Sequence, residues 1–211
     1  MLPKFSLIAL LLVTVVAALL PITSRGEAAN ILIFGDSLSA GFGLDIDKGW
    51  TTLLAQQLRQ EGYPYRVINA SISGETTYGG LNRIDGELRR YKPTIVILAL
   101  GANDGLRGLP LQETHNNLRK IIAKSRAHAA QLLLVGIRLP PNYGPAFTQQ
   151  FEKGYQTLAT DYHLPLLKSL LEGVESDPTL FQADGLHPNA AAQPRIMQNV
   201  WRQLQAMLSK P

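Results

Sequence analysis

Ser37 follows the apolar run Ile31-Leu32-Ile33-Phe34 through Gly35-Asp36, and far along the chain Asp184 and His187 stand three apart in Asp184-Gly185-Leu186-His187-Pro188. A serine hydroxyl is a weak nucleophile unless a neighbouring base takes its proton, and that base needs a third group to fix its tautomer and orientation. A carboxylate three residues before a histidine, with a glycine between, can reach the imidazole nitrogen that faces away from the serine. Taken singly, Asp184 reads as a turn or capping carboxylate and His187 as a surface histidine beside a proline. Together with Ser37 they suit attack on an acyl carbonyl.

Such an attack needs donors for the oxyanion of the tetrahedral intermediate. The backbone N–H groups of Ser37 and Gly74 and the side-chain amide of Asn103 are the candidates; an ordinary turn glycine and a loop-capping amide are the plainer readings of Gly74 and Asn103. Gly35, Gly41 and Gly43 around Ser37 permit a sharp turn from strand into helix.

These residues are spread over 150 positions, so a scaffold must gather them. Short continuous apolar runs at 31–34, 65–68, 95–100 and 132–137, with a weaker one at 164–167, have the pattern of strands buried on both faces. Helical spacing of apolar residues separates them at 50–60, 81–90, 118–130, 151–162 and 190–208. Strands alternating with helices imply parallel pairing through right-handed crossovers, hence a three-layer α/β/α sandwich around a central parallel sheet of about five strands. Ligands in such sheets bind beyond the carboxyl ends of the strands. The first three runs end in Gly35-Asp36-Ser37, in Asn69 to Gly74 and in Gly101-Ala102-Asn103-Asp104, so these loops are expected to meet. The stretch from Leu139 to Pro145 follows the fourth run and is expected to border the same cleft.

The blocks Gly35-Asp36-Ser37-Leu38-Ser39-Ala40-Gly41, Gly74, Gly101-Ala102-Asn103-Asp104 and Asp184-Gly185-Leu186-His187-Pro188, in that order, resemble the SGNH, or GDSL, hydrolase family. Asn69 to Gly74, Asn103 to Gly108 and Ile137 to Pro140 are similar to its exported bacterial branch, which combines thioesterase, lysophospholipase and arylesterase activities. The resemblance implies a flavodoxin-like sheet without cofactor, Ser37, Asp184 and His187 as catalytic residues, and Ser37, Gly74 and Asn103 as the oxyanion hole. It also implies a mobile loop at Gly105 to Pro110 and contacts from Leu106, Leu109 and Ile137 to an acyl chain, although such apolar residues also belong in cores. Ala102 and Pro110 depart from that branch's pattern and would stiffen the loop. The implied substrates are carboxylic esters, acyl thioesters and lysophospholipids, with an acetyl esterase acting on carbohydrate as the alternative.

Other classes fit less well. There is no Gly-x-Ser-x-Gly, so the α/β-hydrolase arrangement is excluded. Four scattered histidines and no cysteine argue against a metal site. A noncatalytic ligand binder of the nucleotide type would need a glycine motif that Gly35 to Gly43 lacks, and Asp36 would repel phosphate. The net charge of +4 falls to +3 if Lys4, Arg25 and Glu27 are lost with a leader, and the basic residues are dispersed, which disfavours nucleic acid. Lys4, the apolar stretch 5–20 and the small residues up to Ala28 read as a secretory signal cleaved after Ala28, since the stretch is shorter than the ~20 residues of a spanning helix. The expected molecule is one hydrolase domain from 29 to 211, periplasmic or secreted, without a stable membrane anchor and monomeric.

Overall fold

The computed structural model describes residues 28–210, so the expected leader falls outside the described residues except for Ala28. Five strands form one parallel sheet: β1 Ala29–Gly35, β2 Tyr65–Asn69, β3 Ile95–Ala99, β4 Gln131–Val135 and β5 Leu166–Leu167. Their order is β2-β1-β3-β4-β5. Its central strands β1, β3 and β4 bury Ile31 to Phe34, Ile95 to Leu98 and Leu132 to Leu134 almost completely, which is why these segments lack polar alternation.

Among the described residues seven α-helices follow the strands: α1 Ser37–Ala40, α2 Trp50–Gln60, α3 Thr77–Tyr91, α4 Ala102–Leu106, α5 Leu111–Ala127, α6 Pro145–Asp161 and α7 Gln193–Leu204. Right-handed crossovers in this strand order put α2 and α7 on one face and α3, α5 and α6 on the other. The three-layer α/β/α sandwich is therefore as the sequence implies. Three helices begin earlier than the apolar spacing alone suggests. Thr76 caps α3 by accepting from the Gly79 N–H, while Pro110 precedes α5 and Pro145 opens α6. The expected C-terminal helix is α7 with a single 3₁₀ turn at each end, Ala190–Ala192 and Gln205–Met207.

The strand ends are drawn together by backbone and side-chain bonds. Ile72 N–H donates to the Gly35 carbonyl at 3.1 Å and Ala70 N–H to that of Ile33 at 2.9 Å, so the loop after β2 lies against the end of β1. The Asn69 side chain donates to the Ser39 carbonyl at 2.8 Å, and the Trp50 indole N–H to that of Leu38 at 3.1 Å. Those two bonds satisfy carbonyls of α1, which is too short to satisfy its own. Only glycine fits at position 35, because a Cβ there would lie 2.9 Å from the Ala99 carbonyl oxygen of the neighbouring strand.

Asp36 sits between β1 and α1 and caps the helix, its carboxylate accepting from the Leu38 N–H at 3.1 Å. Only 2% of it is exposed. Burial pushes its pKa up to about 7; the Leu38 bond and the nearby His187 oppose this, and Asp104 reinforces it. Between about pH 4 and pH 7 the folded protein thus holds a proton that the unfolded chain releases, so this group's contribution to stability declines as pH rises through that window. Asp36→Asn keeps the capping oxygen and removes the charge. Its stability relative to the parent is expected to rise, on the order of 1–4 kcal/mol, when denaturant unfolding is compared at about pH 4 and about pH 7.5. A difference that stays constant across the window would refute the buried-carboxylate account.

Candidate active site

β1 ends where α1 begins, so Ser37 is the first helical residue beyond the sheet edge. Its Oγ lies 2.9 Å from Nε2 of His187. On the other side of the ring, Nδ1 is 2.7 Å from an Asp184 carboxylate oxygen. With the Nδ1–H donated to that carboxylate, Nε2 carries the lone pair and can accept the serine proton.

The loop before α7 is built around the aspartate. One Asp184 oxygen accepts the backbone N–H groups of Leu186 and His187, each at 2.9 Å, and leaves the other oxygen for the imidazole. These bonds hold the carboxyl at a pKa of about 2, the His187 backbone bond contributing most and the His187 side-chain bond next. Asp184 is therefore ionised at any pH at which the protein would act. Gln182 ties this loop to the first one: its side-chain amide donates to the carbonyls of Phe42 at 2.7 Å and Pro188 at 3.2 Å. The Phe42 ring lies against His187 with centroids 4.4 Å apart.

Gly74 and Asn103 come to the same place from the ends of β2 and β3, and both line the cleft that contains Ser37 and His187. Among the described residues the Ser37 and Gly74 N–H groups have no partner. The Asn103 amide donates to the Glu75 carbonyl at 3.0 Å, which uses one of its two N–H bonds. Behind it, the Asp104 carboxylate accepts the Thr77 N–H at 2.9 Å, the Thr77 hydroxyl at 2.5 Å and the Thr114 hydroxyl at 3.4 Å. This buried latch joins α4 to the starts of α3 and α5. A serine, its base and three convergent donors form a constellation suited to acyl transfer.

The cleft has a volume of about 460 Å³. Its walls are mostly apolar, with Leu38, Leu106, Ile137 and Leu139 among them, and Pro140 and Pro141 come from the loop that follows β4. Leu106 and Ile137 line the cleft. Leu109 does not: it is absent from the cleft lining and 36% exposed, because the chain turns at Gly108 and the Leu109 N–H folds back onto the Asp104 carbonyl. The expected loop from Gly105 is helical through Leu106, the end of α4. The wall residues Phe181 and Leu186 and the aromatic neighbour Phe42 went unseen in the sequence, where no periodicity marks them. Among the described residues no three His, Asp or Glu side chains are grouped to hold a metal ion, and no helix is long and apolar enough to cross a membrane.

The chain is similar to known proteins over most of its length. The GDSL-like Lipase/Acylhydrolase family model matches residues 33–194. Esterase TesA of Pseudomonas aeruginosa is 46% identical over 191 residues, covering 90% of this chain and 95% of that protein. Thioesterase 1/protease 1/lysophospholipase L1 of Escherichia coli K12 is 41% identical over 189 residues, 89% of each chain. The crystal structure of TesA superposes with a TM-score of 0.83 at 47% identity, over 85% of this chain and 99% of that one. The chain is therefore a member of the GDSL-like lipase/acylhydrolase family, an ester-bond hydrolase built on a five-stranded α/β/α sandwich.

Proposed function

We propose that this protein hydrolyses carboxylic esters and acyl thioesters of apolar acyl chains, lysophospholipids included, through an acyl-enzyme on Ser37. The observation that carries the proposal is the relay from Asp184 through His187 to Ser37 at the edge of a large apolar cleft. Ser37 Oγ attacks the carbonyl carbon while its proton passes to Nε2 of His187. The imidazolium, held against ionised Asp184, returns that proton to the leaving alcohol or thiol. Water then attacks the acyl-enzyme by the same route and regenerates the serine. The oxyanion of each tetrahedral intermediate is held by the N–H groups of Ser37 and Gly74 and the free N–H of Asn103.

The family's esterase and thioesterase names support the substrate class, and the cleft supports the preference for apolar chains, since an acetyl group would leave most of it unfilled. We further propose that residues 1–28 are a leader removed on export to the periplasm or beyond, and that residues 29–211 act as a monomer.

Two measurements test this reading. Each methylene buried in the cleft contributes about 0.8 kcal/mol, so kcat/KM for p-nitrophenyl esters should rise roughly fourfold per added methylene until the cleft is full. Activity confined to acetyl esters would instead favour the carbohydrate esterase alternative. Asn103→Ala should lower kcat by ~10²-fold with KM little changed, because the lost bond forms only as charge develops on the oxygen. An unchanged kcat would remove Asn103 from the oxyanion hole.

A further inference from the structure

We propose that Arg83 is a positioning residue for the reaction, acting through Glu75 to fix the Asn103 amide; the inference rests on the oxyanion role given to Asn103 above. Arg83 lies on α3, away from the cleft lining, with only 19% of its side chain exposed, and Glu75 is 10% exposed. The Arg83 Nε pairs with the Glu75 carboxylate and Nη1 lies 3.4 Å from Glu87. The guanidinium carbon Cζ sits 4.0 Å from the centroid of the Phe34 ring, which is fully buried in β1 three residues before Ser37. One cation thus spans the strand that delivers the serine and the loop that delivers Gly74.

The fit is specific. A Cβ at Gly79 would lie 2.2 Å from a Glu75 carboxylate oxygen, so the carboxylate packs directly against the first turn of α3. Stacking on an aromatic face while reaching two carboxylates suits a planar guanidinium, and lysine's single ammonium cannot reproduce it. Taking such a pair out of water is a poor source of net stability, so what it supplies is a defined geometry. That geometry ends at the Glu75 carbonyl, the acceptor of Asn103 at 3.0 Å. A planar carboxamide with one N–H anchored has its second N–H in a fixed direction, which is what an oxyanion donor requires. The Asp104–Thr77 latch already ties this segment to α4, and the Arg83 pair adds the restraint on Glu75 itself that fixes how its carbonyl meets Asn103.

The test compares Arg83→Met, Arg83→Lys, Asn103→Ala and the Arg83→Met/Asn103→Ala double variant on p-nitrophenyl butyrate, with near-ultraviolet circular dichroism as the check on folding. Arg83→Met should lose about tenfold or more in kcat with KM within about twofold, and Arg83→Lys should recover only part of the loss. In the Asn103→Ala background, Arg83→Met should cost less than about twofold more, because its target is gone. Full kcat in Arg83→Met, a rise in KM alone, or losses that multiply in the double variant would overturn the proposal. An Asn103→Ala enzyme with full kcat would overturn the oxyanion assignment, a distinct result that takes this inference with it. Should Arg83→Met not fold, Glu75→Gln decides in its place: it keeps the backbone carbonyl, and it should lose several-fold in kcat alone and nothing further beside Asn103→Ala. Full kcat in Glu75→Gln would refute the linkage.

Discussion

The bond between the Asp184 carboxylate and Nδ1 of His187 sets the direction in which the imidazole faces, and the proposed chemistry depends on that direction. A histidine free to rotate would offer Ser37 a donor as often as an acceptor. Two backbone N–H groups hold the aspartate, and the turn at Gly185 brings it back within reach of a ring three residues on. The cost is low because the carboxylate is half exposed and already ionised, so no charge has to be forced into the interior. Asp36 is the contrasting case, a carboxyl buried beside the same serine, where burial pushes the pKa up to about 7.

A second constraint concerns the loops. Four chain segments separated by tens of residues must converge within hydrogen-bonding distance, and a parallel sheet of order β2-β1-β3-β4-β5 brings the first three to one edge as a consequence of strand register. Register alone leaves the loops free to move by an ångström or more. Polar cross-links remove that freedom: Gln182 joins the first loop to the last, Asn69 the second to the first, and Asn103 and Asp104 the third to the second. Most of these groups are partly or fully buried, where each bond is stronger and each unpaired partner more costly. Substrate binding and site rigidity therefore draw on different residues, apolar for the cleft and amide or carboxylate for the frame.

The sequence carried the fold well because the central strands are buried on both faces. Runs such as Ile95 to Leu98 admit few other readings, and a parallel α/β sandwich follows from their alternation with helices. Helix starts were harder to read. Apolar spacing registers only the buried stripe, so the polar first turns of α3 and α5 were invisible until the cap at Thr76 and the proline at 110 were seen in place. The short helix α4 has no periodicity to detect over Ala102 to Leu106. In the site, Ser37, Asp184, His187, Gly74 and Asn103 each have an ordinary reading alone; they stood out as a set, in ordered blocks that follow strands and resemble one family, and the structure brings them together. The cleft walls did not stand out. Phe42, Phe181 and Leu186 come from loops where an apolar residue has no pattern to distinguish it, and Leu109, apolar and nearby in sequence, lies outside the lining. The Arg83–Glu75 pair was equally hidden, since a charged residue on a helix is ordinarily solvated.

The central claim is that catalysis passes through an acyl group on Ser37. Acid-quenching the enzyme during turnover of a p-nitrophenyl ester, followed by mass spectrometry of its proteolytic peptides, tests this directly. The account predicts one added acyl mass, carried by the peptide containing Ser37 and absent from Ser37→Ala. Sustained turnover in Ser37→Ala, or an acyl adduct on another residue that is lost at the same rate as product forms, would contradict it.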